Sequence, residues 1–212
     1  METLLIIFQT INYSSWLLLF VFGLHYYVVT YLFLKRKRKY KVLALETPKI
    51  NEYPKVTIQL PIYNELFVVE RLLDNIALID WPHDKLEIQL LDDSTDETYN
   101  VAKNKIEEIV KKIGIKIQHI RRPERTEFKA GALKYGLNIT DSEYVAIFDA
   151  DFLPKKDFLK NTIPHLVKDK KAAFVQTRWA HVNREYSSFT YAQSLGIDGH
   201  FVVEQSARNF NK

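Results

Sequence analysis

Two acidic residues follow an apolar run in this sequence and are separated by a single residue. The run extends from Tyr144 to Phe148, and the two acidic residues are Asp149 and Asp151. The run is typical of a strand buried on both faces of a parallel sheet, in which an extended backbone points residues i and i+2 the same way. Asp149 and Asp151 would then present oxygens to one hard cation at the carboxyl end of the strand, where open α/β sheets bind ligands. The alternative is a solvated strand terminus.

Other polar residues follow two further apolar stretches and precede a helix. Asp92-Asp93-Ser94 follows one stretch, Tyr63-Asn64-Glu65 follows another, and Lys129 stands at the start of a predicted helix. Carboxylates can bind ribose hydroxyls, a base edge or a divalent ion, and a lysine at a helix N-terminus can neutralise a diphosphate. The chain has no Gly-x-Gly-x-x-Gly after its first strand and no Walker A sequence. The sequence therefore predicts nucleotide-diphosphate binding without phosphoryl-transfer machinery.

Strand-like and helix-like segments alternate around these residues. Predicted strands cover Val56–Leu60, Leu86–Leu91, Ile115–Ile120 and Tyr144–Asp149; predicted helices are one capped by Asn64, one over Thr95–Ile113 closed by Gly114, and one beginning at Lys129. Alternation of this kind means parallel pairing through crossover helices. We expect a Rossmann-like, three-layer α/β domain over residues 55–212.

Composition and charge limit the classes of protein that fit. The chain has 212 residues, 47% of them hydrophobic, which is enough for one α/β domain and an appendage. It has no cysteine, so disulfides and cysteine-ligated metals are excluded. The net charge is +4, but six basic residues lie between Lys35 and Lys41; subtracting these six leaves −2 for the rest of the chain. We therefore predict no nucleic-acid partner.

The N-terminal segment is apolar and uncharged from Thr3 to Leu34. Its last nineteen residues, Trp16–Leu34, would span about 28 Å as a helix, close to the thickness of a bilayer core. We predict a membrane segment over residues 1–34, spanning at about 16–34, with residues 3–15 either spanning or at the outer interface. A signal peptide would carry its positive charge before the apolar region, whereas here the charge follows it. The basic linker, residues 35–54, therefore predicts an inner or plasma membrane protein with a cytosolic domain.

Six short motifs in order resemble one family. They are Pro61-Ile-Tyr-Asn-Glu65, Leu91-Asp-Asp-Ser94, Lys129-Ala-Gly-Ala-Leu133, Phe148-Asp-Ala-Asp151, the stretch Val175–Asn183 and the stretch His200–Gln205. They resemble family 2 glycosyltransferases with a GT-A fold, in the membrane-embedded cellulose synthase group. The last two look like the cellulose synthase-like A and C branch, which makes β-mannan or β-glucan backbones. The resemblance extends from Pro54 to the end of the chain.

The resemblance implies an inverting hexosyltransferase and a role for each matching residue. Tyr63 and Glu65 would line the nucleotide pocket, Asp93 would contact the base or ribose, and Lys129 would approach the phosphates. Asp149 and Asp151 would hold a Mg or Mn ion that bridges the donor's diphosphate. Donor sugar or acceptor glycan would lie beside Gln176, Arg178, Trp179 and His181. UDP-glucose and GDP-mannose are both open as donors.

The chain departs from the family's pattern in two places. It has no Thr-Glu-Asp motif to supply the catalytic base and no Gln-x-x-Arg-Trp motif to bind the acceptor end. The resemblance thus implies the N-terminal part of a longer enzyme, with a GT-A domain that is incomplete at its C-terminus and a base beyond Lys212.

Three alternative functions fit parts of the sequence. One is non-processive transfer of a sugar to a lipid phosphate, although such enzymes usually lack the leading membrane helix. Another is a haloacid-dehalogenase-like phosphatase, which would need Thr or Val where Leu153 stands. The third is a catalytically incomplete, membrane-tethered module that binds nucleotide sugars.

Overall fold

The computed structural model describes residues 1–39 and 47–208, which fall into two compact units. Of the described residues, one unit comprises 47–175, and the other comprises 1–39 together with 176–208. The first unit contains strands β1 (Val56–Ile62), β2 (Leu86–Asp92), β3 (Lys116–Ile120) and β4 (Tyr144–Ile147), and helices α2 (Val69–Ile76), α3 (Thr98–Ile113), α4 (Phe128–Ile139) and α5 (Phe158–Lys168). The second contains α1 (Glu2–Lys39), α6 (Ser188–Asp198) and α7 (Gln205–Arg208).

The four strands form one parallel sheet in the order β3-β2-β1-β4. Val56 of β1 pairs with Leu86 of β2 on one side and with Tyr144 of β4 on the other. Strand and helix alternate along the chain, so every strand runs in the same direction. The expected α/β architecture is confirmed, and the carboxyl ends of all four strands lie at one edge of the sheet.

The two faces of the sheet bury different kinds of side chain. Val56, Ile58 and Leu60 of β1 lie in the apolar core, and the buried residues of α2, α3 and α5 pack into the same core. The alternate residues Thr57 and Gln59 are also buried but are polar. The second face is covered by α4, whose Gly136 lies against Gln59. Buried amides must find partners there, and Gln59 Nε2 donates to Gln89 Oε1 at 3.0 Å.

The first strand continues through Pro61 to Ile62, two residues beyond its predicted end. A proline has no N–H to donate, so it is excluded from positions that need a ladder hydrogen bond. The carbonyl of Gln59 accepts from Phe148 N at 3.2 Å, so odd-numbered residues of β1 face β4. Pro61 therefore faces the space beyond the end of β4, where no donor is needed.

Asn64 does not cap the helix that follows it, contrary to the sequence prediction. That helix begins later, at Val69, and has no side-chain cap. Asn64 has a positive φ of 57°, and its Oδ1 accepts from the backbone N–H of Thr95 at 2.9 Å. Its own N–H donates to Ser94 Oγ at 2.9 Å. The side chain therefore ties the loop after β1 to the loop after β2.

Two other boundaries differ from the prediction by two residues or more. The third helix begins at Thr98 rather than Thr95, because Asp96 Oδ1 accepts from Thr98 N in a local turn. The fourth strand ends at Ile147, and it is not buried on both faces: it lies at the edge of the sheet and Ile147 is 51% exposed. The predicted end of α3 is confirmed, since Gly114 adopts φ 74° and its N–H closes the helix on Val110.

In the other unit, α1 is a single helix of 38 residues. At about 1.5 Å per residue it is about 57 Å long, more than a bilayer core needs. Residues Glu2–Lys35 form a candidate membrane span, in which an 18-residue stretch has a mean hydropathy of 2.0. Residues 3–15 are thus helical and continuous with the predicted span. Of the basic linker, Lys41 and the rest of 40–46 lie outside the described residues.

The close approach of α4 to the sheet makes a specific prediction about Gly136. A Cβ at this position would lie 2.7 Å from both Gln59 Nε2 and Gln89 Oε1. These amides are buried and bonded to each other, so they cannot move without loss. We expect Gly136→Ala to lower the free energy of unfolding by about 1–3 kcal/mol, measured by chemical denaturation of the full chain in detergent.

The same substitution at Gly196 is the control. Gly196 lies inside α6, and no described atom lies within 4 Å of a Cβ built there. Alanine should be neutral or stabilise the helix by roughly 0.5–1 kcal/mol. Equal effects of the two substitutions would contradict the tight packing of α4.

Candidate functional site

The residues predicted from four of the motifs lie at the carboxyl edge of the sheet. Tyr63 and Glu65 follow β1, and Asp93 follows β2. Lys129 lies in the first turn of α4, and the acidic pair follows β4. Parallel pairing brings these segments to the same edge, which is where α/β sheets bind ligands. The carbonyl of Glu65 accepts from the N–H groups at the start of α2, and its side chain is half-buried.

The acidic pair lies in a turn rather than in extended backbone. Phe152 N donates to the carbonyl of Asp149 at 3.0 Å, so the chain reverses within the motif. The reasoning that an extended chain aligns Asp149 with Asp151 is therefore wrong for this structure. Asp151 is exposed, and Asp149, whose side chain is 42% exposed, forms an ion pair with Lys129. The predicted phosphate-binding lysine thus contacts a predicted metal ligand.

Asp93 is held by Arg122, which lies in the turn after β3. The guanidinium makes a two-pronged contact: Nε lies 2.8 Å from Oδ1, and Nη2 lies 2.7 Å from Oδ2. Both side chains are nearly buried, at 8% exposed for Asp93 and 6% for Arg122. The hydrogen bonds with Asp93 raise the pKa of the Arg122 guanidinium above its usual value, even though burial opposes the charge. The two-pronged contact fixes the orientation of the Asp93 carboxylate.

An aromatic platform lies beside this pair. The Arg125 guanidinium stacks over the ring of Tyr63 at 3.4 Å from its centroid, and Arg125 Nε lies 4.0 Å from Asp93 Oδ2. Tyr63 is 40% exposed, so part of its ring faces solvent. An exposed aromatic ring beside an arginine and a carboxylate can stack a base and hydrogen-bond its edge.

A second carboxylate, Asp92, is buried behind the first. Its Oδ2 accepts from His119 Nε2 at 2.8 Å, and its Oδ1 accepts from Ser94 N at 2.8 Å. Burial raises the pKa of Asp92, but the hydrogen bonds from His119 and Ser94 lower it by more, so the pKa lies below its usual value of 3.8. Tyr99 stacks on the His119 ring with centroids 4.6 Å apart. Asp92 is 1% exposed and positions the loop rather than meeting a ligand.

The four remaining predicted residues belong to the other unit. Gln176 and Arg178 are exposed in an irregular segment. The Trp179 ring packs on Phe201 with centroids 5.3 Å apart. His181 Nε2 lies 3.4 Å from Asp198 Oδ1. The structure thus gives Trp179 and His181 partners within their own unit.

Sequence reasoning did not find the roles of Arg122, Arg125 and His119. The basic turn that contains the two arginines is visible in the sequence, next to a strand paired with the Asp93 strand. An arginine directly after the strand that pairs with one ending in Asp-Asp can therefore be predicted to contact those carboxylates. What the sequence does not give is which arginine turns back toward the carboxylate.

The acidic side chains at this edge can supply only part of a metal's coordination shell. Among residues 1–39 and 47–208, no group of three His, Asp or Glu side chains is placed to hold a metal ion. Mg²⁺ characteristically takes one or two protein carboxylates and completes its shell with water and substrate phosphates. Asp149 and Asp151 supply the type and number of protein ligands that this mode requires.

Comparison with known proteins agrees with the motifs and the sheet. The model of Glycosyl transferase family 2 matches residues 57–204. This chain belongs to that family. The solved structure of the mannosyltransferase PcManGT from Pyrobaculum calidifontis, in complex with GDP-Man and Mn²⁺, matches with a TM-score of 0.57 and 30% identity, over 70% of this chain and 42% of that one. The expected GT-A fold is therefore confirmed.

Curated relatives indicate which branch of the family this chain resembles. The chain is 40% identical over 179 residues to glucomannan 4-beta-mannosyltransferase 1 from Cyamopsis tetragonoloba, covering 80% of this chain and 34% of the relative. It is 44% identical over 160 residues to the probable glucomannan 4-beta-mannosyltransferase 7 of Oryza sativa subsp. japonica, covering 74% and 27%. The expected resemblance to the cellulose synthase-like A group is confirmed. The chain thus spans between a quarter and about a third of the length of these relatives.

The buried Asp92 makes a prediction about His119. Replacing His119 with phenylalanine keeps a ring to stack on Tyr99 but removes the donor to a carboxylate that is 1% exposed. We expect His119→Phe to lower the free energy of unfolding by about 1–3 kcal/mol, the cost of a buried acceptor left without its donor. Chemical denaturation at pH 7 measures the change, with His83→Phe, at an exposed histidine, as the control.

The pH dependence of this difference has a definite sign. The pKa of Asp92 is lower in the folded chain than its usual 3.8. Its stabilisation is therefore complete above pH 3.8 and is lost as the pH falls through the folded pKa. The gap between wild type and His119→Phe should therefore shrink as the pH falls below 3.8, where Asp92 begins to take up a proton. A gap that stays unchanged below pH 3.8 would show that Asp92 is not the group involved.

Proposed function

We propose that this chain carries the donor-binding part of an inverting glycosyltransferase that uses a cytosolic nucleotide-diphosphate sugar to extend a β-linked polysaccharide. The observation that carries this proposal is the arrangement of charge at the carboxyl edge. A lysine in the first turn of a helix touches a partly exposed carboxylate, and a second carboxylate and an aromatic ring both lie against Arg125. This combination suits a nucleotide at one end and a diphosphate at the other.

The base and ribose would lie on the side of the edge formed by β1 and β2. Tyr63 offers a ring face, and Arg125, already stacked on it, offers a cation. Asp93 retains lone pairs beyond its bonds with Arg122 and can accept from a ribose hydroxyl or a base N–H. Glu65 is half-buried in the same loop as Tyr63 and would lie on the same side of the nucleotide.

The diphosphate would lie near Lys129, where the positive end of α4 adds to the charge of the ammonium group. Asp149 and Asp151 would hold the Mg or Mn ion, and that ion supplies Lewis-acid stabilisation of the charge on the departing diphosphate. The neighbour PcManGT was solved with Mn²⁺, which supports a divalent ion. Lys129 also forms an ion pair with Asp149, so this lysine would contact both a proposed metal ligand and the diphosphate.

GDP-mannose is the favoured donor over UDP-glucose. The two curated relatives are named as mannosyltransferases, and the solved neighbour contains GDP-Man. The sugar and acceptor would lie near Gln176, Arg178, Trp179 and His181. Transfer to a lipid phosphate and a module that only binds the donor are the alternatives, and they predict the same donor binding but no extension of a glycan primer.

Removal of one proposed metal ligand tests the site. We expect GDP-mannose to bind the full chain in nanodiscs with Mn²⁺ and much more weakly with EDTA. Asp151→Ala should weaken the Mn²⁺-dependent binding by at least the roughly 10–100-fold typical of weaker, outer-shell partners. The side chain is exposed, so folding should be unaffected. Isothermal titration calorimetry measures the affinity.

Asp157→Ala is the matched control. Asp157 is an exposed aspartate six residues further on, and its side chain makes no capping hydrogen bond at the start of α5. It should bind like wild type. Undiminished Mn²⁺-dependent binding by Asp151→Ala would remove Asp151 from the site, and UDP-glucose binding more tightly than GDP-mannose would reverse the choice of donor.

We further propose one membrane crossing, with the chain after Lys35 on the cytosolic side. The uncharged segment followed by six basic residues supports this orientation. The chain lacks cysteine, so single cysteines can report topology. In intact cells, a membrane-impermeant maleimide should label Thr3→Cys and should leave Lys103→Cys, on the exposed side of α3, unlabelled.

Permeabilised cells provide the control for this labelling, since both cysteines should then react. Labelling of Lys103→Cys in intact cells would reverse the orientation and deny the site access to cytosolic nucleotide sugars.

A further inference from the structure

Arg122 makes hydrogen bonds in two directions. Toward β2, its guanidinium grips the Asp93 carboxylate. Toward α4, Nη1 donates to the carbonyl of Thr126 at 2.5 Å, and Nη2 donates to the carbonyl of Phe128 at 2.8 Å. A side chain that is 6% exposed and makes bonds to a carboxylate and two carbonyls is a connection between two segments.

The segment that Arg122 holds has an unfavourable backbone conformation. Glu127 has φ 55° and Phe128 has φ 45°, both in the left-handed region. This region is uncommon for residues other than glycine, and for a bulky residue such as Phe128 it is a genuine outlier. Such a conformation persists only where the surroundings impose it. The bonds from Arg122 to the carbonyls on either side of Glu127 supply that constraint.

Gly131 shows how tightly the segment is packed. A Cβ at Gly131 would lie 2.1 Å from the Thr126 carbonyl oxygen and 2.4 Å from Arg122 Nη1. The backbone N–H of Gly131 donates to the Glu127 carbonyl at 3.0 Å. The first turn of α4 is thus built directly on the segment that Arg122 fixes, and a side chain at position 131 would displace it.

The residue after Phe128 is Lys129, which pairs with Asp149 beyond β4. We propose that Arg122 is a positioning residue that sets the place of the Lys129 ammonium group and couples it to Asp93. The coupling runs from Asp93 through the guanidinium to the carbonyls of Thr126 and Phe128. This inference rests on the proposed function only where it assigns Lys129 to the diphosphate. The geometry of the connection is independent of that assignment.

Arginine is required for this role because of its shape. Its planar guanidinium presents five N–H donors in a fixed fork, whereas lysine offers three donors at a single point. A lysine at position 122 keeps the charge and can pair with Asp93, but it cannot reach the two carbonyls at the same time. Arg121 is the matched control, because its Nη2 donates to the carbonyl of Ser94 at 3.0 Å and its guanidinium lies over Tyr99 instead.

Hydrogen exchange tests the connection without any ligand. In the full chain in nanodiscs, Arg122→Lys should speed amide exchange in the peptide covering residues 126–132 by about tenfold or more. Arg121→Lys should leave that peptide unchanged. Asp93→Asn, which keeps the shape but removes the charge of the partner, should reproduce the effect in part. Unchanged exchange in both Arg122→Lys and Asp93→Asn, with circular dichroism like wild type, would overturn the proposal.

Affinity for GDP tests the coupling to the ligand. In the wild-type background we expect Lys129→Met to weaken GDP binding by about tenfold, and Lys134→Met, at an exposed lysine further along α4, to have little effect. In the Arg122→Lys background the effect of Lys129→Met should fall to about twofold, because the ammonium group is no longer in place. Such a cycle isolates the interaction between the two residues.

The outcomes separate this inference from the proposed function. If GDP binds neither wild type nor variants, the proposed function fails, while the exchange data still decide the positioning role. If GDP binds and the effects of Arg122→Lys and Lys129→Met are simply additive, the positioning role is wrong and the donor site stands.

Discussion

Parallel pairing gathers acidic side chains at one edge of the sheet, and the charges that result must be balanced. Asp92 ends β2, Asp93 follows it, and Asp149 lies beyond the end of β4. A carboxylate that loses water without gaining a partner is costly, so each of these three has a basic side chain in contact: His119 for Asp92, Arg122 for Asp93 and Lys129 for Asp149. The turn after β3 and the start of α4 supply two of these partners and are thereby drawn over the edge.

The pairs differ in how firmly they are held. Asp93 and Arg122 are both nearly buried, and such a pair is strongly destabilised if one member is removed. Lys129 and Asp149 are about half exposed, and an ion pair in that setting contributes little to stability. The buried pair therefore has a structural character, while the exposed pair can exchange its partners at low cost. This difference suits a site in which the Asp93–Arg122 pair stays fixed and the Lys129–Asp149 pair rearranges around a charged ligand.

The parts of this molecule that depend on local pattern could be predicted from the sequence. Alternation of Val56, Ile58 and Leu60 indicated β1, Gly114 indicated the end of α3, and the order of segments indicated a parallel sheet with the motifs at one edge. The start of α2 could not be predicted, because the Asn64 side chain accepts its hydrogen bond from Thr95, in a loop that is distant in sequence. The exposure of β4 depends on its place at the sheet edge, which the sequence does not state.

The contacts between side chains of the candidate site could not be predicted from local sequence either. The motifs indicated the positions of Lys129 and Asp149, but not that the two side chains form an ion pair. The partner of Asp93 is Arg122, twenty-nine residues later, and nothing in the local spacing distinguishes it from Arg121 or Arg125. Contacts made through tertiary structure must be seen in the structure, although the residue types that make them can be anticipated.

Pro61 has a consequence for the shape of this edge. The next residue of β1 that faces β4 after Gln59 is Pro61, which has no N–H. The two strands therefore cannot form a further ladder hydrogen bond there. The chain after Phe148 is free to leave β1 and reverse direction at Asp149–Phe152. The pairing of β1 with β4 thus ends at Gln59 because Pro61 lacks a donor, and no inserted residue is needed to separate the two strands.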